Sequence, residues 1–147
     1  MHLLGRNFAL QLEDKIKKES ITSFGDVFKY RMIYFGKIDQ EEYVDGTFTK
    51  YINNNGLLCV YGSHALGQKA DCLIHFSYEK SEKKLMLVDI QGNEYDLFDL
   101  EIASANLYDK PQLIYCTGNL SDFAIKNFIS NHKCNAFCIS LGLKDLQ

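Results

Sequence analysis

Apolar positions along the chain fall into patterned stretches separated by polar breaks. Over residues 7–18, Phe8, Leu12 and Ile16 recur at every fourth position with charges between them, the spacing of an amphipathic helix. Residues 20–25 interrupt that pattern. The segment 27–35 is rich in Val, Tyr, Phe, Met and Ile, which predicts a strand. A polar connection over 36–42 leads to the short apolar step Tyr43-Val44. Within 46–56, Asn53, Asn54 and Asn55 follow one another, and their side chains favour turns over ladder hydrogen bonds.

Farther on, 65–76 reads as a helix. Residues 84–90 form a near-continuous apolar run, the mark of a buried strand. Gln91-Gly92 is expected to end that strand in a glycine-permitted turn, with a mostly polar stretch from there to Lys110. Residues 122–131 set Phe123, Ile125, Phe128 and Ile129 near helical spacing, and a second short helix is expected over 134–141. This order predicts an α+β fold.

Composition narrows the reading by exclusion. The 147 residues are 46% hydrophobic, 24% charged and 13% aromatic, an ordinary globular mixture with room for one core. A net charge of -3 supplies no nucleic-acid footprint. The one basic cluster, Lys15, Lys17 and Lys18, sits among Glu13, Asp14 and Glu19 and reads as a solvated helix face. No apolar run reaches the ~20 residues of a membrane span, and the start lacks the pattern of a secretory signal. Cys59, Cys72, Cys116, Cys134 and Cys138 are odd in number and irregularly spaced, so reduced thiols and a cytoplasmic location are expected.

Three local constellations carry candidate chemistry. In His132-Lys133-Cys134-Asn135-Ala136-Phe137-Cys138, the two cysteines lie four apart, as on one helix face, with a histidine just before them. Thiolate and imidazole suit tetrahedral zinc, and His75, on the apolar stretch 73–76, is the natural fourth ligand. His2 and His64 lie in less constrained surroundings. The plainer alternative packs the cysteines as small hydrophobes and leaves His132 on the surface; spacing alone leaves both open. Val88-Asp89-Ile90-Gln91-Gly92 puts a carboxylate at a strand end, with Asp99 ten residues later. Two carboxylates and an amide are hard-oxygen ligands for magnesium, and one carboxylate can accept a proton from a nucleophile; alternatively, both aspartates only end a strand and cap a turn. Finally, Gly118-Asn119-Leu120-Ser121 precedes a helix, where backbone amides can hold an anion, although Ser121 as an ordinary N-cap explains as much.

Taken in order, these motifs resemble the alpha-type (atypical) protein kinases, which include elongation-factor-2 kinase, myosin heavy chain kinases and the channel-kinases. The stretches that carry the likeness are Gly46-Thr47-Phe48-Thr49-Lys50-Tyr51 with Asn53 to Gly56, His75-Phe76-Ser77-Tyr78-Glu79, Val88-Asp89-Ile90-Gln91-Gly92 with Asp99, Gly118-Asn119-Leu120, and His132-x-Cys134-Asn135-x-x-Cys138. Ala124-Ile125-Lys126-Asn127-Phe128 is most similar to the channel-kinase branch. The resemblance covers roughly residues 25–145.

It implies a two-lobed kinase-like fold, with an incomplete N-lobe over 1–44 and a zinc-stabilised C-lobe over 45–147. It implies transfer of the ATP γ-phosphoryl to Ser or Thr of a protein substrate, with ATP, Mg²⁺ and structural Zn²⁺ as cofactors. By position, Asp89 matches the catalytic aspartate, and Gln91 and Asp99 match magnesium ligands. His75, His132, Cys134 and Cys138 match the zinc ligands, Lys50 and Asn54 face the nucleotide, and Glu42, Tyr43 and Val44 fall where the hinge meets adenine.

Departures from the family pattern qualify that implication. The family's glycine-rich loop and phosphate-binding strand lysine lie upstream of the helix at 7–18, and neither Lys15, Lys17 nor Lys18 has that strand context. Cys116 and Ser121 stand where the family has glycines, and Leu100 where it carries proline. Weak nucleotide binding and slow turnover are therefore expected of this chain alone. The competing expectation is a non-catalytic, zinc-stabilised protein-binding module or an incomplete fragment of a longer kinase. The sequence does not specify an oligomeric state.

Overall fold

A computed structural model describes residues 2–31, 46–104, 108–109, 112–113 and 120–146. Glu42, Tyr43 and Val44, expected to meet adenine, the expected boundary at 44/45, and Gly118-Asn119 lie outside the described residues.

Helix α1 (His2–Lys18) buries Phe8, Ala9 and Leu12 on the face that the four-residue spacing marks out. Its charged face carries i,i+4 ion pairs, Lys15–Glu19 at 2.6 Å and Lys17–Glu13 at 2.7 Å, as expected of a solvated surface. A 3₁₀ turn, Thr22–Phe24, follows and buries Phe24. Strand β1 (Lys29–Tyr30) lies inside the predicted 27–35, of which 32–35 falls outside the described residues.

Helix α2 (Ala65–Lys80) runs one turn past the predicted 65–76 and is buried along most of its length. His64 caps it, its Nδ1 accepting from the Gly67 amide at 3.2 Å. Against α2 lies an antiparallel pair, β3 (Leu85–Val88) with β6 (Glu101–Ser104), in the register Leu85↔Ser104 to Val88↔Glu101. Ser77 joins helix to strand by accepting from the Leu87 amide at 3.0 Å.

The stretch expected to be polar and loop-like after Gly92 instead contains β4 (Gln91–Asn93), β5 (Asp96–Phe98) and β6. Such three- and four-residue strands are too short to show a clear alternation. With β1 and with β2 (Thr49–Lys50), inside the Asn-rich segment, β4 and β5 build a four-stranded sheet in the order β1-β5-β4-β2. Within it β1 pairs parallel to β5, and β2 and β4 are antiparallel. Strands β7 (Tyr108–Asp109) and β8 (Gln112–Leu113) pair antiparallel.

Gly92 is not the turn residue that the sequence suggested. It sits inside β4, and a Cβ there would stand 2.1 Å from the Asp96 carbonyl oxygen and 2.9 Å from Leu97 Cα. Both obstacles are backbone, so glycine is required by close strand approach rather than by a left-handed turn.

Helix α3 (Ser121–Asn131) matches its expected span, but Leu120 occupies the N-cap and no side chain caps it. Helix α4 (Ala136–Ser140) is shorter than expected, with Asn135 as N-cap, so Cys134 lies before the helix rather than on a shared face with Cys138. No helix among the described residues is long and apolar enough to cross a membrane.

The close approach at β4–β5 yields a test. Gly92→Ala should destabilise the fold by about 1–3 kcal/mol, the usual range for overpacking. Denaturant unfolding measures this, and an unchanged midpoint would show that the hairpin yields without cost.

Candidate functional site

Two clusters gather most of the residues singled out in the sequence. The first lies where β3 gives way to β4. Asp89 follows the last residue of β3 with φ +54, and Asp99 follows β5 with φ +51. Left-handed backbone is unfavourable for non-glycine residues by roughly 1–2 kcal/mol, although Asp tolerates it best. Its appearance at both aspartates marks constrained positions. The Asp89 amide donates to the Asn53 carbonyl at 3.2 Å. Asn53 itself is fixed by its Oδ1, which accepts from the Asn55 and Leu57 amides, so the asparagine run is the turn its composition predicts.

Lys50, on β2, sits in register with Gln91 on β4 and reaches Asp89 with an Nζ–Oδ1 distance of 2.5 Å. The hydrogen bond that Lys50 donates to Asp89 raises the Lys50 pKa, and burial opposes this. Gln91 Nε2 donates to the Asp99 carbonyl at 3.1 Å and to Asp99 Oδ2 at 3.3 Å. The structure therefore brings Lys50, Asp89, Gln91 and Asp99 to one end of the sheet. Asn54 stands exposed on the neighbouring turn. A basic side chain beside one carboxylate, and an amide beside another, can orient a hydroxyl and hold a hard cation.

The second cluster joins α2, the end of α3 and the start of α4. His75 points from the middle of α2 and is fully buried. His132 caps the C-terminus of α3 and is 4% exposed, which rules out the surface histidine of the plainer reading. His132 Nε2 lies 3.1 Å from His75 Nδ1. Cys134 Sγ lies 3.7 Å from His75 Nδ1 and 3.8 Å from His132 Nε2, while Cys138 Sγ is 3.9 Å from His132 Nε2. All four ligand atoms fall within 4.8 Å of one another.

Around a tetrahedral zinc with Zn–N of about 2.0–2.1 Å and Zn–S of about 2.3 Å, nitrogens stand about 3.3 Å apart and nitrogen and sulfur about 3.6 Å apart. The N–N and the three N–S spacings given lie close to these values, so these four residues could hold zinc.

Electrostatics around this cluster suit a cation. Burial alone would lower the His132 pKa, but hydrogen bonds that its ring donates to Asp71 and to the sulfurs outweigh it and raise the group to about 10. Cys138 is held well below its ordinary value, first by Cys72 and then by His132 and His75, against the effect of burial. Burial pushes the Cys134 thiol up. Cys59, Cys72, Cys134 and Cys138 are all free.

Asp71 and Asn135 complete the surroundings. His132 Nδ1 lies 2.9 Å from Asp71 Oδ2. Asn135 Oδ1 accepts from the Phe137 and Cys138 amides, and its Nδ2 donates to the Gln68 carbonyl at 2.9 Å and to Asp71 Oδ2 at 3.3 Å. Sequence reasoning placed Asn135 in a motif without a role and missed Asp71. The signal for Asp71 was its position four residues before His75, one helical turn away on the same side of α2.

The alpha-kinase family profile matches residues 5–138. The chain belongs to the alpha-kinase family. Human transient receptor potential cation channel subfamily M member 6 is 29% identical over 138 residues, covering 91% of this chain and 7% of that protein. Myosin heavy chain kinase B of Dictyostelium discoideum is 34% identical over 107 residues, covering 73% of this chain and 13% of that protein. Among solved structures, the alpha-kinase domain of myosin heavy chain kinase A in complex with ADP superposes with a TM-score of 0.74 at 25% identity, covering 99% of this chain and 56% of that one. The apoenzyme of the same domain gives a TM-score of 0.75 at 23% identity. This alpha-kinase chain thus spans little more than half of the solved domains it matches, and a small share of the curated relatives.

The Asn135 bonds make a measurable contribution. Asn135→Ala removes the cap of α4 and the tie to Asp71, and should cost about 0.5–2 kcal/mol in chemical or thermal unfolding. No change in stability would show that the start of α4 is held by other contacts.

Proposed function

We propose that this chain carries the phosphoryl-transfer end of an alpha-type Ser/Thr protein kinase, built on a structural zinc centre. The observation that supports the transfer site most is the pair of left-handed aspartates, one held by Lys50 and the other by Gln91, in a chain of this family. In this reading Asp89 orients the substrate hydroxyl and takes its proton. Lys50 and Asn54 face the nucleotide from the neighbouring strand and turn. The Asp99 carboxylate and the Gln91 amide oxygen are the hard donors for magnesium. A bound magnesium ion supplies neutralisation of charge on the transferring phosphoryl group. Glu42, Tyr43 and Val44 are proposed to meet the adenine.

The second reading, a zinc-stabilised protein-binding module without transfer, is favoured by one feature: Lys50 already occupies Asp89 in a close ion pair. Titrating Mg·ATP while following thermal unfolding separates the two. A ligand that binds only the native state stabilises it by RT ln(1 + [L]/Kd), about 2.7 kcal/mol at a hundredfold excess over Kd. Kinase function predicts an upward shift in Tm and slow phosphorylation of a basic protein that Asp89→Ala abolishes. No shift at millimolar nucleotide supports the binding module.

Zinc is held in this proposal by His75 Nδ1, His132 Nε2, Cys134 and Cys138, a closed set with no position left for substrate. Elemental analysis should find one zinc per chain, and chelation should unfold the carboxy-terminal helices. Zinc affinity should fall as pH is lowered, because each thiol must lose its proton before the sulfur can bind the metal, and acid drives that proton back on. Cys138→Ser should cause loss of soluble protein rather than a selective kinetic defect. Carefully prepared protein with well under one zinc per chain would contradict the assignment.

A further inference from the structure

We infer that Asp71 is the outer carboxylate of the zinc centre, fixing which nitrogen of His132 faces the metal and joining the two segments that bring ligands to it. The inference rests on the zinc reading above and adds a residue outside the four ligands.

A neutral imidazole carries one proton, and the nitrogen that holds it cannot ligate. His132 Nε2 is the atom that faces His75 and both thiols. Its proton must therefore sit on Nδ1, and Asp71 Oδ2 lies 2.9 Å from that atom. A carboxylate acceptor there selects the Nδ1–H tautomer and makes Nε2 a stronger donor to a metal. Phe128 holds the ring from its face, stacked with centroids 4.7 Å apart and planes at 22°, so a ring flip would need that contact to break.

The same carboxylate oxygen accepts from Asn135 Nδ2 at 3.3 Å. Asn135 lies beside Cys134 and caps the helix that carries Cys138, with its Oδ1 taking the Cys138 amide at 3.3 Å. One acid on α2 thus sets the orientation of His132 and the placement of both cysteines. An ordinary helix-surface acid would face solvent or a basic neighbour. Asp71 faces instead an imidazole whose side chain is 0% exposed, and is itself 19% exposed. It also lines a cavity of about 430 Å³ with Gln68, His132 and Asn135, which lets water solvate the rest of the carboxylate.

His75 differs from its partner. Neither outer nitrogen, His75 Nε2 or His132 Nδ1, makes a well-aligned hydrogen bond among the described residues, but His132 Nδ1 has a carboxylate oxygen 2.9 Å away. Asp71 is therefore the acceptor within reach of the centre, and its loss is what the metal should register.

The test uses the full chain purified with zinc, with zinc affinity measured by competition against a chromophoric chelator. Asp71→Ala should weaken binding by about 10–100-fold, the usual effect of losing such a partner. Asp71→Asn, which keeps shape and one acceptor, should weaken it less. Long-range ¹H–¹⁵N spectra of the wild type should show His132 protonated at Nδ1. If wild type holds no zinc, the zinc reading itself fails. If wild type holds one zinc and both variants bind it within twofold of wild type, the role of Asp71 is overturned while the zinc reading stands. If neither variant folds, the His132 Nδ1 proton of the zinc-loaded wild type decides: a downfield resonance slow to exchange with solvent is expected of a bond to the carboxylate, and an ordinary, rapidly exchanging one overturns the role of Asp71.

Discussion

Two buried imidazoles face each other across 3.1 Å, with two thiols beside them. That contact is the constraint on which the carboxy-terminal part of the structure turns. A buried ring nitrogen without a partner costs about 1–3 kcal/mol, and lone pairs brought this close repel unless a proton or a cation lies between them. His75 cannot relieve the contact by moving, because it sits in the middle of α2 with Leu73, Ile74 and Phe76 buried around it. His132 is pinned by Asp71 and Phe128. A divalent cation would satisfy all four ligand atoms at once, and would tie the ends of α3 and α4 to α2.

Helix α2 carries that constraint to the other candidate site. Lys69, buried two residues before Asp71, donates to the Asp26 carbonyl at 2.6 Å and to the Tyr95 hydroxyl at 3.2 Å. Its ammonium also lies 4.9 to 5.4 Å from the ring centroids of Phe24, Tyr95 and Phe137, a cation–π arrangement on three sides. Phe137 belongs to α4 and Tyr95 to the turn between β4 and β5. One turn of α2 therefore contacts both the helix that bears Cys138 and the hairpin that holds Gln91 and Asp99. Ser77 fixes β3, and so the approach to Asp89, from the same helix.

Much of this was legible from residues. Helices α1 and α3 showed their buried faces in the spacing of Phe8 and Leu12 and of Ile125 and Phe128, and α2 was expected over 65–76 without a marked face. The apolar run at 84–90 gave β3, and the cysteine and histidine motif pointed to a cluster that the fold does assemble. The short strands β4, β5 and β6 were not legible, because three residues cannot establish a period, and their pairing is decided by the hairpin rather than by local preference. Gly92 was misread because a glycine needed for close strand approach looks in sequence like one needed for a turn. Cys134 and Cys138 were placed on one helix because four-residue spacing suggests it. The Asn135 cap starts the helix later. Asp71 and Lys69 carry no motif, and their roles come entirely from what α2 faces.

The proposed centre places two imidazole nitrogens and two thiolates around one zinc. Zinc K-edge X-ray absorption on the purified chain tests it directly. The account predicts two sulfurs at about 2.3 Å and two nitrogens at about 2.0–2.1 Å. A first shell of oxygens alone would contradict it, as would an absorption edge too weak for stoichiometric metal.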